Sequence, residues 1–281
     1  MIAADATTSM HLRLMLITNS PAVAAHAVDS GVDWVFVDLE IKGKPERQAG
    51  RSTVISNHTL DDVARVRAAV PPGRLLVRIN PWDPDSEREV EEVLAAGADL
   101  VMLPMFRGPD ELERLVRAVD GRCQIVGLLE TAEAAERVSE IAAVDGVARI
   151  HIGLNDLHLA LKRRFMFELL IDGTVARIAE ALRNRGVAFG LGGLARVGEG
   201  LVPAESLVAE HVALGSTAAI LSRTFHRNDS DPGMFAGGPL LGSEISKLRD
   251  AFRHCSRMTR SQLDAQCADT AGRIRGVVEG T

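Results

Sequence analysis

Cysteine is scarce in this chain and follows no pattern. The three cysteines, Cys123, Cys255 and Cys267, lack metal-type and redox-type spacing, and an odd count does not make a disulfide framework. A reducing compartment is therefore expected. No apolar run approaches the roughly 20 residues needed to cross a bilayer, and residues 1–10 lack the basic-then-apolar order of a signal peptide. The sequence thus reads as soluble and cytoplasmic, with no membrane partner. Blocks of like charge are missing as well. Acidic and basic residues are interspersed at a formal net charge of −6, which offers nucleic acid no basic surface and leaves a small molecule as the expected partner.

What is abundant is apolar sequence in short pieces. Hydrophobic residues make up 46% of the chain, enough to fill the core of one large domain. From Leu12 onward, strand-sized apolar runs alternate with longer segments of helical periodicity, the pattern of repeated βα units on a parallel sheet. Strands are predicted at 13–17, 34–38, 75–79, 100–103, 124–129, 149–152, 188–191 and 218–221. Helices are predicted at 22–30, 60–70, 86–96, 109–119, 132–143, 165–185 and 204–214, with another over 244–257. Several helices end in glycine just before the next strand, as at Gly31, Gly97, Gly186 and Gly215. The first strand is followed by Thr18-Asn19-Ser20-Pro21, without the glycine-rich phosphate turn of an open doubly wound sheet. Eight uninterrupted units therefore predict a closed α/β barrel, the (β/α)8 or TIM barrel, with extra C-terminal helices. Residues 1–11 read as a disordered leader and 12–281 as a single domain, with the barrel ending near 225 and the helical extension covering 243–281. The extension packs either on a neighbouring subunit or on the barrel itself, and a homo-oligomer is expected.

Chemistry in such a barrel is expected just past the carboxyl ends of the strands. The residues there are Asn19, Asp38, Glu40, Arg78, Asn80, Glu130, Asn155, Asp156, Ser222 and Arg223. Glu130 and Asp156 follow neighbouring strands, so their carboxylates can converge above the barrel as hard oxygen ligands for Mg2+ or Mn2+. Position alone leaves a second reading open, in which Glu130 caps the following helix and Asp156 a turn. Arg78, set within Leu75-Leu76-Val77-Arg78-Ile79-Asn80, favours the first: a cation among such neighbours needs anions in the barrel mouth.

Five motifs carry a resemblance, covering the barrel from about Leu12 to Phe225, to the HpcH/HpaI aldolase and citrate lyase β-subunit family of class II pyruvate aldolases. They are Gly31-Val32-Asp33-Trp34-Val35-Phe36-Val37-Asp38-Leu39-Glu40, Val77-Arg78-Ile79-Asn80, Gly97-Ala98-Asp99-Leu100-Val101-Met102-Leu103-Pro104, Leu128-Leu129-Glu130-Thr131 and Ile152-Gly153-Leu154-Asn155-Asp156-Leu157. The 26 positions separating Glu130 from Asp156 match the family's ligand spacing. The resemblance implies a divalent metal held by Glu130 and Asp156, with a keto acid chelating it. It also implies Arg78 beside the ketone oxygen, Asp38 or Glu40 ordering water or the metal's surroundings, and a substrate pocket that includes Pro104, Asn155 and Asp156. Metal and guanidinium aimed at a growing oxyanion favour the transition state over the ground state. The expected activity is carbon–carbon lyase or aldolase chemistry at a pyruvate- or oxaloacetate-derived enolate, with a carbonyl or acyl acceptor.

One departure bears on the acceptor. Family aldolases usually carry a His directly after the strand 2 acid, whereas Glu40 is followed by Ile41-Lys42-Gly43-Lys44. His58 is the candidate substitute acid/base, folded back over the site; the other reading is a surface residue ahead of a Thr-capped helix. Lys42, Lys44, Arg47 and Arg51 either meet an anionic second substrate or line a solvated loop. The same two readings apply to Lys162-Arg163-Arg164 and to Arg196 in the glycine-rich stretch after the seventh strand. Two alternatives stand beside the aldolase: a CoA-ester lyase or citrate-synthase-like condensing enzyme, and a barrel kept for binding or assembly without turnover.

Overall fold

The structure, a computed structural model, describes residues 11–43, 57–226 and 241–280. Its strands are β1 (Arg13–Ile17), β2 (Trp34–Asp38), β3 (Leu75–Arg78), β4 (Leu100–Leu103), β5 (Gln124–Leu129), β6 (Val147–Ile152), β7 (Ala188–Leu191), β8 (Gly193–Leu194) and β9 (Ala218–Leu221). They form one parallel sheet in the order β7-β6-β5-β4-β3-β2-β1-β9-β8. The short β8 was not anticipated. It continues β7 across Gly192, whose φ of 48° is left-handed. The first half of this bent strand pairs with β6 and the second with β9, and the Gly192 carbonyl accepts the Ile220 N–H at 3.2 Å. The bend thus joins the two edges, and the eight expected strands become a (β/α)8 barrel whose seventh strand is split.

Both faces of each strand are buried, which explains why the runs read as continuously apolar rather than alternating. Leu14, Leu16, Val35, Val37, Val77, Val101 and Leu103 point outward into one large cluster with the helices. Met15, Trp34, Phe36, Leu76, Met102, Val126 and Leu128 fill the barrel's interior.

The helices are α1 (Pro21–Asp29), α2 (Leu60–Arg67), α3 (Ser86–Ala95), α4 (Pro109–Val119), α5 (Ala132–Glu136), α6 (Val138–Ile141), α7 (Leu154–Ala160), α8 (Glu168–Ile171), α9 (Thr174–Asn184), α10 (Ala204–Leu214), α11 (Leu241–Ser256) and α12 (Arg260–Glu279). Their starts carry chemical marks. Ser20 caps α1 ahead of Pro21, Thr59 and Asp62 form a capping box on α2, and Thr131 caps α5. Two expected helices are broken: 132–143 is divided at Arg137 into α5 and α6, and 165–185 at Gly173, with φ of 87°, into α8 and α9. Helix α7 was not foreseen at all.

Helices α11 and α12 return to the barrel's own flank, where Ile245, Leu248, Phe252 and Ile274 join the same apolar cluster as the barrel helices. Arg249 ties α11 to the start of β2, donating to the Gly31 carbonyl at 2.7 Å and pairing with Asp33 at 2.8 Å. His11, assigned to the leader from sequence, is held by Asp33 at 2.8 Å; residues 1–10 lie outside the described residues. Among the described residues no helix is long and apolar enough to cross a membrane.

Candidate active site

Asp38 and Arg78 are register partners on adjacent strands, β2 and β3. Their side chains meet in a two-pronged pair: Arg78 Nε donates to Asp38 Oδ1 and Nη2 to Oδ2, each at 2.8 Å. Arg78 Nη2 also lies 3.2 Å from Glu40 Oε2, and the guanidinium sits 5.5 Å from the centre of the Phe36 ring. Burial opposes the guanidinium's charge, but Asp38, Glu40 and Glu130 outweigh it and hold Arg78 above the usual arginine range. A planar fork fixed on one carboxylate has a fixed direction. No hydrogen bond is made by the remaining nitrogen, Nη1, among the described residues.

Glu130 and Gly153 are the next residues past the paired ends of β5 and β6, where the Gly153 N–H donates to the Leu129 carbonyl at 2.9 Å. Glu130 is 3% exposed, and its Oε1 accepts the Met105 N–H at 3.2 Å. Met105 has a left-handed φ of 55°, an uncommon conformation for a side chain of this type, and the turn it makes after Pro104 aims that N–H at the carboxylate. Gly153 is required on the other side: a Cβ there would stand 2.8 Å from Glu130 Oε2. Asp156 lies in the first turn of α7, half-buried, with its charge felt at Glu130. Burial, opposed by Arg78 but reinforced by Asp156 and Glu40, pushes the Glu130 carboxyl up to about 8.

Among the described residues the mouth gathers Asp38, Glu40, Glu130 and Asp156 around the Arg78 guanidinium. Excess negative charge on hard oxygen donors, with one carboxyl driven to keep its proton, is the setting a divalent cation relieves. The fit extends to two protein ligands, since among the described residues no three His, Cys, Asp or Glu side chains form a ready cage. Water and substrate would complete the coordination.

His58 does fold back to this mouth. Its Nδ1 accepts the Asp38 backbone N–H at 3.0 Å, so in this arrangement Nδ1 carries no proton. Asn80 fixes the loop that follows β2, its Oδ1 accepting the Ile41 and Lys42 N–H groups at 3.0 Å each. Lys42 itself pairs with Asp83. Pro104 is buried beside Met105, while Asn155 is exposed in the first turn of α7. Arg163 pairs with Asp172 at 2.8 Å, and Arg196 lies 5.7 Å from the Phe225 ring. Lys44, Arg47 and Arg51 lie outside the described residues. Sequence reasoning missed Met105, whose only signal was its place after the end of β4, and it missed the Asp38–Arg78 fork.

Below the mouth lie two buried histidines. His151, on β6, is fully buried; its Nε2 lies 3.1 Å from the Gly192 carbonyl, and its Nδ1 has no hydrogen-bond partner among the described residues. Gly190 makes room for it, since a Cβ there would stand 2.7 Å from that Nδ1. His211, on α10 and 1% exposed, shares a 2.8 Å hydrogen bond with Ser216. Burial lowers His151 to about 4 and His211 to about 3, and for His211 the neighbouring His151 adds to the shift. Both rings are neutral members of the core.

A parallel barrel with polar, charge-rich residues at the carboxyl ends of its strands defines a barrel enzyme. The match of residues 12–219 to the family model described as HpcH/HpaI aldolase/citrate lyase goes further, and the chain belongs to that family, one of carbon–carbon lyases. A hydroxypyruvate/pyruvate aldolase of Paraburkholderia phytofirmans is 26% identical over 63% of this chain and 76% of its own length. A 4-hydroxy-2-oxovalerate aldolase of Novosphingobium aromaticivorans is 25% identical over 53% of this chain and 62% of its own. Among solved structures, the protein CitE of Mycobacterium tuberculosis, in complex with magnesium and pyruvate, superposes with a TM-score of 0.61. That match covers 92% of this chain and 97% of the other at 19% identity, a likeness of fold. The same protein is also solved with magnesium, acetoacetate and coenzyme A.

Proposed function

We propose that this chain makes or breaks a carbon–carbon bond beside the carbonyl of a pyruvate-type 2-keto acid, using a divalent metal held by Glu130 and Asp156. The observation that carries the reading is that Glu130 follows the end of β5 and Asp156 lies in the first turn of α7, just past the adjacent β6, with both charges felt beside an arginine oriented by Asp38 and Glu40. A bound Mg2+ or Mn2+ would orient the keto acid and act as a Lewis acid towards its carbonyl. Arg78 takes the complementary role. When the bond breaks, the electron pair moves into the carbonyl oxygen, and Nη1 is the guanidinium donor left for that oxygen. Asp38 spends both its oxygens on holding the guanidinium, so it acts as a positioning residue rather than a proton carrier. The N–H groups of Asn155 and Asp156 open α7 and suit the keto acid's carboxylate, and buried Pro104 closes the pocket's apolar side.

His58 fits this scheme as the support of β2's end. A proton on Nδ1 would break its bond with Asp38, so its first role is to hold the strand that carries Asp38 and Glu40. The measurement that tests the reading is methyl-proton exchange of pyruvate in D2O, followed by NMR on metal-stripped protein with and without Mn2+ or Mg2+. Exchange that needs the metal and disappears in Glu130→Gln and Asp156→Asn supports it. Metal-independent exchange, or metal-dependent exchange that survives in both variants, would overturn it.

A further inference from the structure

The opposite mouth of the barrel, at the amino ends of the strands, carries a second charged cluster. Trp34 projects from β2 into the lumen and is met there by two arginines. The Arg13 guanidinium carbon, from β1, stands 5.3 Å from the ring centroid, and that of Arg149, reaching across from β6, 5.6 Å. Among the described residues neither arginine forms an ion pair, and the Arg13 guanidinium makes no hydrogen bond. Arg149 Nη1 is used on the Phe189 carbonyl at 3.1 Å and the Thr217 hydroxyl at 2.8 Å, both uncharged. Two guanidiniums on one indole repel each other. Burial and the charge of Arg13 depress Arg149 to about 10, so the cluster as it stands works against its own charge.

For Arg149, a half-buried cation without a counter-charge, partial desolvation is costly, and an indole face recovers only part of that cost. Three other arginines around the barrel are matched to acids: Arg78 has Asp38 and Glu40, Arg67 has Asp99, and Arg249 has Asp33. Among the described residues this rim is open to solvent: Arg13 is exposed, as are Gln124 and Ala188, which start β5 and β7 there. We propose that Arg13 and Arg149, steadied by Trp34, form a binding site for a small oxyanion of the phosphate type at the amino-terminal mouth. It is separate from the acidic mouth, which repels such ions. The forks of two arginines match the oxygens of phosphate or sulfate, whereas chloride gives them no second contact.

Inorganic phosphate is the probe, in EDTA-treated protein so that no metal-bound phosphate contributes. The chain has two tryptophans, so Trp82→Phe leaves Trp34 as the sole indole reporter. Phosphate titrated at constant ionic strength should change the Trp34 emission saturably and raise the melting temperature more than chloride does. Arg13→Gln should weaken the apparent phosphate affinity about tenfold or more, as should Arg149→Gln if it folds. Because Arg13 is exposed, its variant keeps the test decisive should the Arg149 variant fail to fold. No saturable change, a response matched by chloride, or a response intact in Arg13→Gln would overturn the site. None of these readouts involves lyase turnover, so the proposed function can fail without touching this result.

Discussion

Replacing His211 by Asn provides a direct test of the buried histidine pair. Asn preserves an acceptor near the position of Nδ1 for Ser216 but cannot titrate. In the unfolded chain the imidazole accepts a proton near 6.5, whereas burial and His151 hold it down to about 3 in the folded protein. A folded value below the unfolded one means that proton binding favours the unfolded chain. The native protein therefore keeps its full share of stability above pH 6.5 and loses it as the pH falls from there towards 3. Linkage sets the slope at about 1.4 kcal/mol per pH unit within that window, which amounts to about 2 kcal/mol between pH 7 and pH 5. Two groups act in the opposite sense: Glu130, pushed up to about 8, and Glu210, pushed up to about 7 by burial. Each binds its proton more tightly in the folded chain and so adds stability as the pH falls below its folded value, until the unfolded carboxyl titrates too. The wild-type curve alone mixes these effects, but the difference between wild type and variant cancels the carboxyls. Urea unfolding of both proteins with EDTA at pH 7, 6 and 5 should show His211→Asn costing stability at pH 7 through lost packing, with that cost shrinking by about 2 kcal/mol at pH 5. A difference that stays constant across the three pH values would refute the claim that His211 is neutral and desolvated in the fold.

Other expectations concern the mouth. Arg78→Lys keeps a charge but loses the fork on Asp38, and should lower pyruvate proton exchange by about 10²-fold, read by NMR, with a smaller effect on metal affinity. Gly153→Ala places a methyl group against the Glu130 carboxylate, so titration calorimetry should show weakened Mn2+ binding. If Glu130 holds the metal as proposed, metal and proton compete for it, so apparent Mn2+ affinity should rise about tenfold per pH unit below about 8 and level off above it; a flat profile from pH 6 to 8 would contradict that pairing of ligand and raised carboxyl. His58→Ala should loosen the end of β2 and reduce exchange, while His58→Asn, which retains an acceptor for the Asp38 N–H, should restore part of it.

The barrel was legible because burial on both strand faces writes each strand as an unbroken apolar run, and a glycine in the left-handed region commonly marks the approach to the next strand, as at Gly97 and Gly215. The split of the seventh strand left only Gly192-Gly193 as its trace, and glycines alone do not say which neighbour each half will meet. Helix α7 was hidden because Leu154-Asn155-Asp156-Leu157 is shorter than a window in which helical periodicity can be measured. Carboxylates at strand ends were readable from position, since the fold aims them at one mouth. Their partners were not: the Asp38–Arg78 fork depends on the register between β2 and β3, and the His58 contact joins residues 20 positions apart in sequence. Met105 was beyond reach because its contribution is a backbone N–H whose direction is set by one unusual dihedral.

The imbalance of charge at the carboxyl mouth also fixes an order of arrival. A keto acid brings its own carboxylate, and among the described residues Asp38, Glu40 and Asp156, with Glu130 once ionised, face the Arg78 guanidinium and disfavour that acid until the proposed cation has come. The ion should thus enter first and leave last. With the proposed metal bound, a keto acid chelating it would slow its loss, so a chelator should strip the idle protein quickly and the working one slowly.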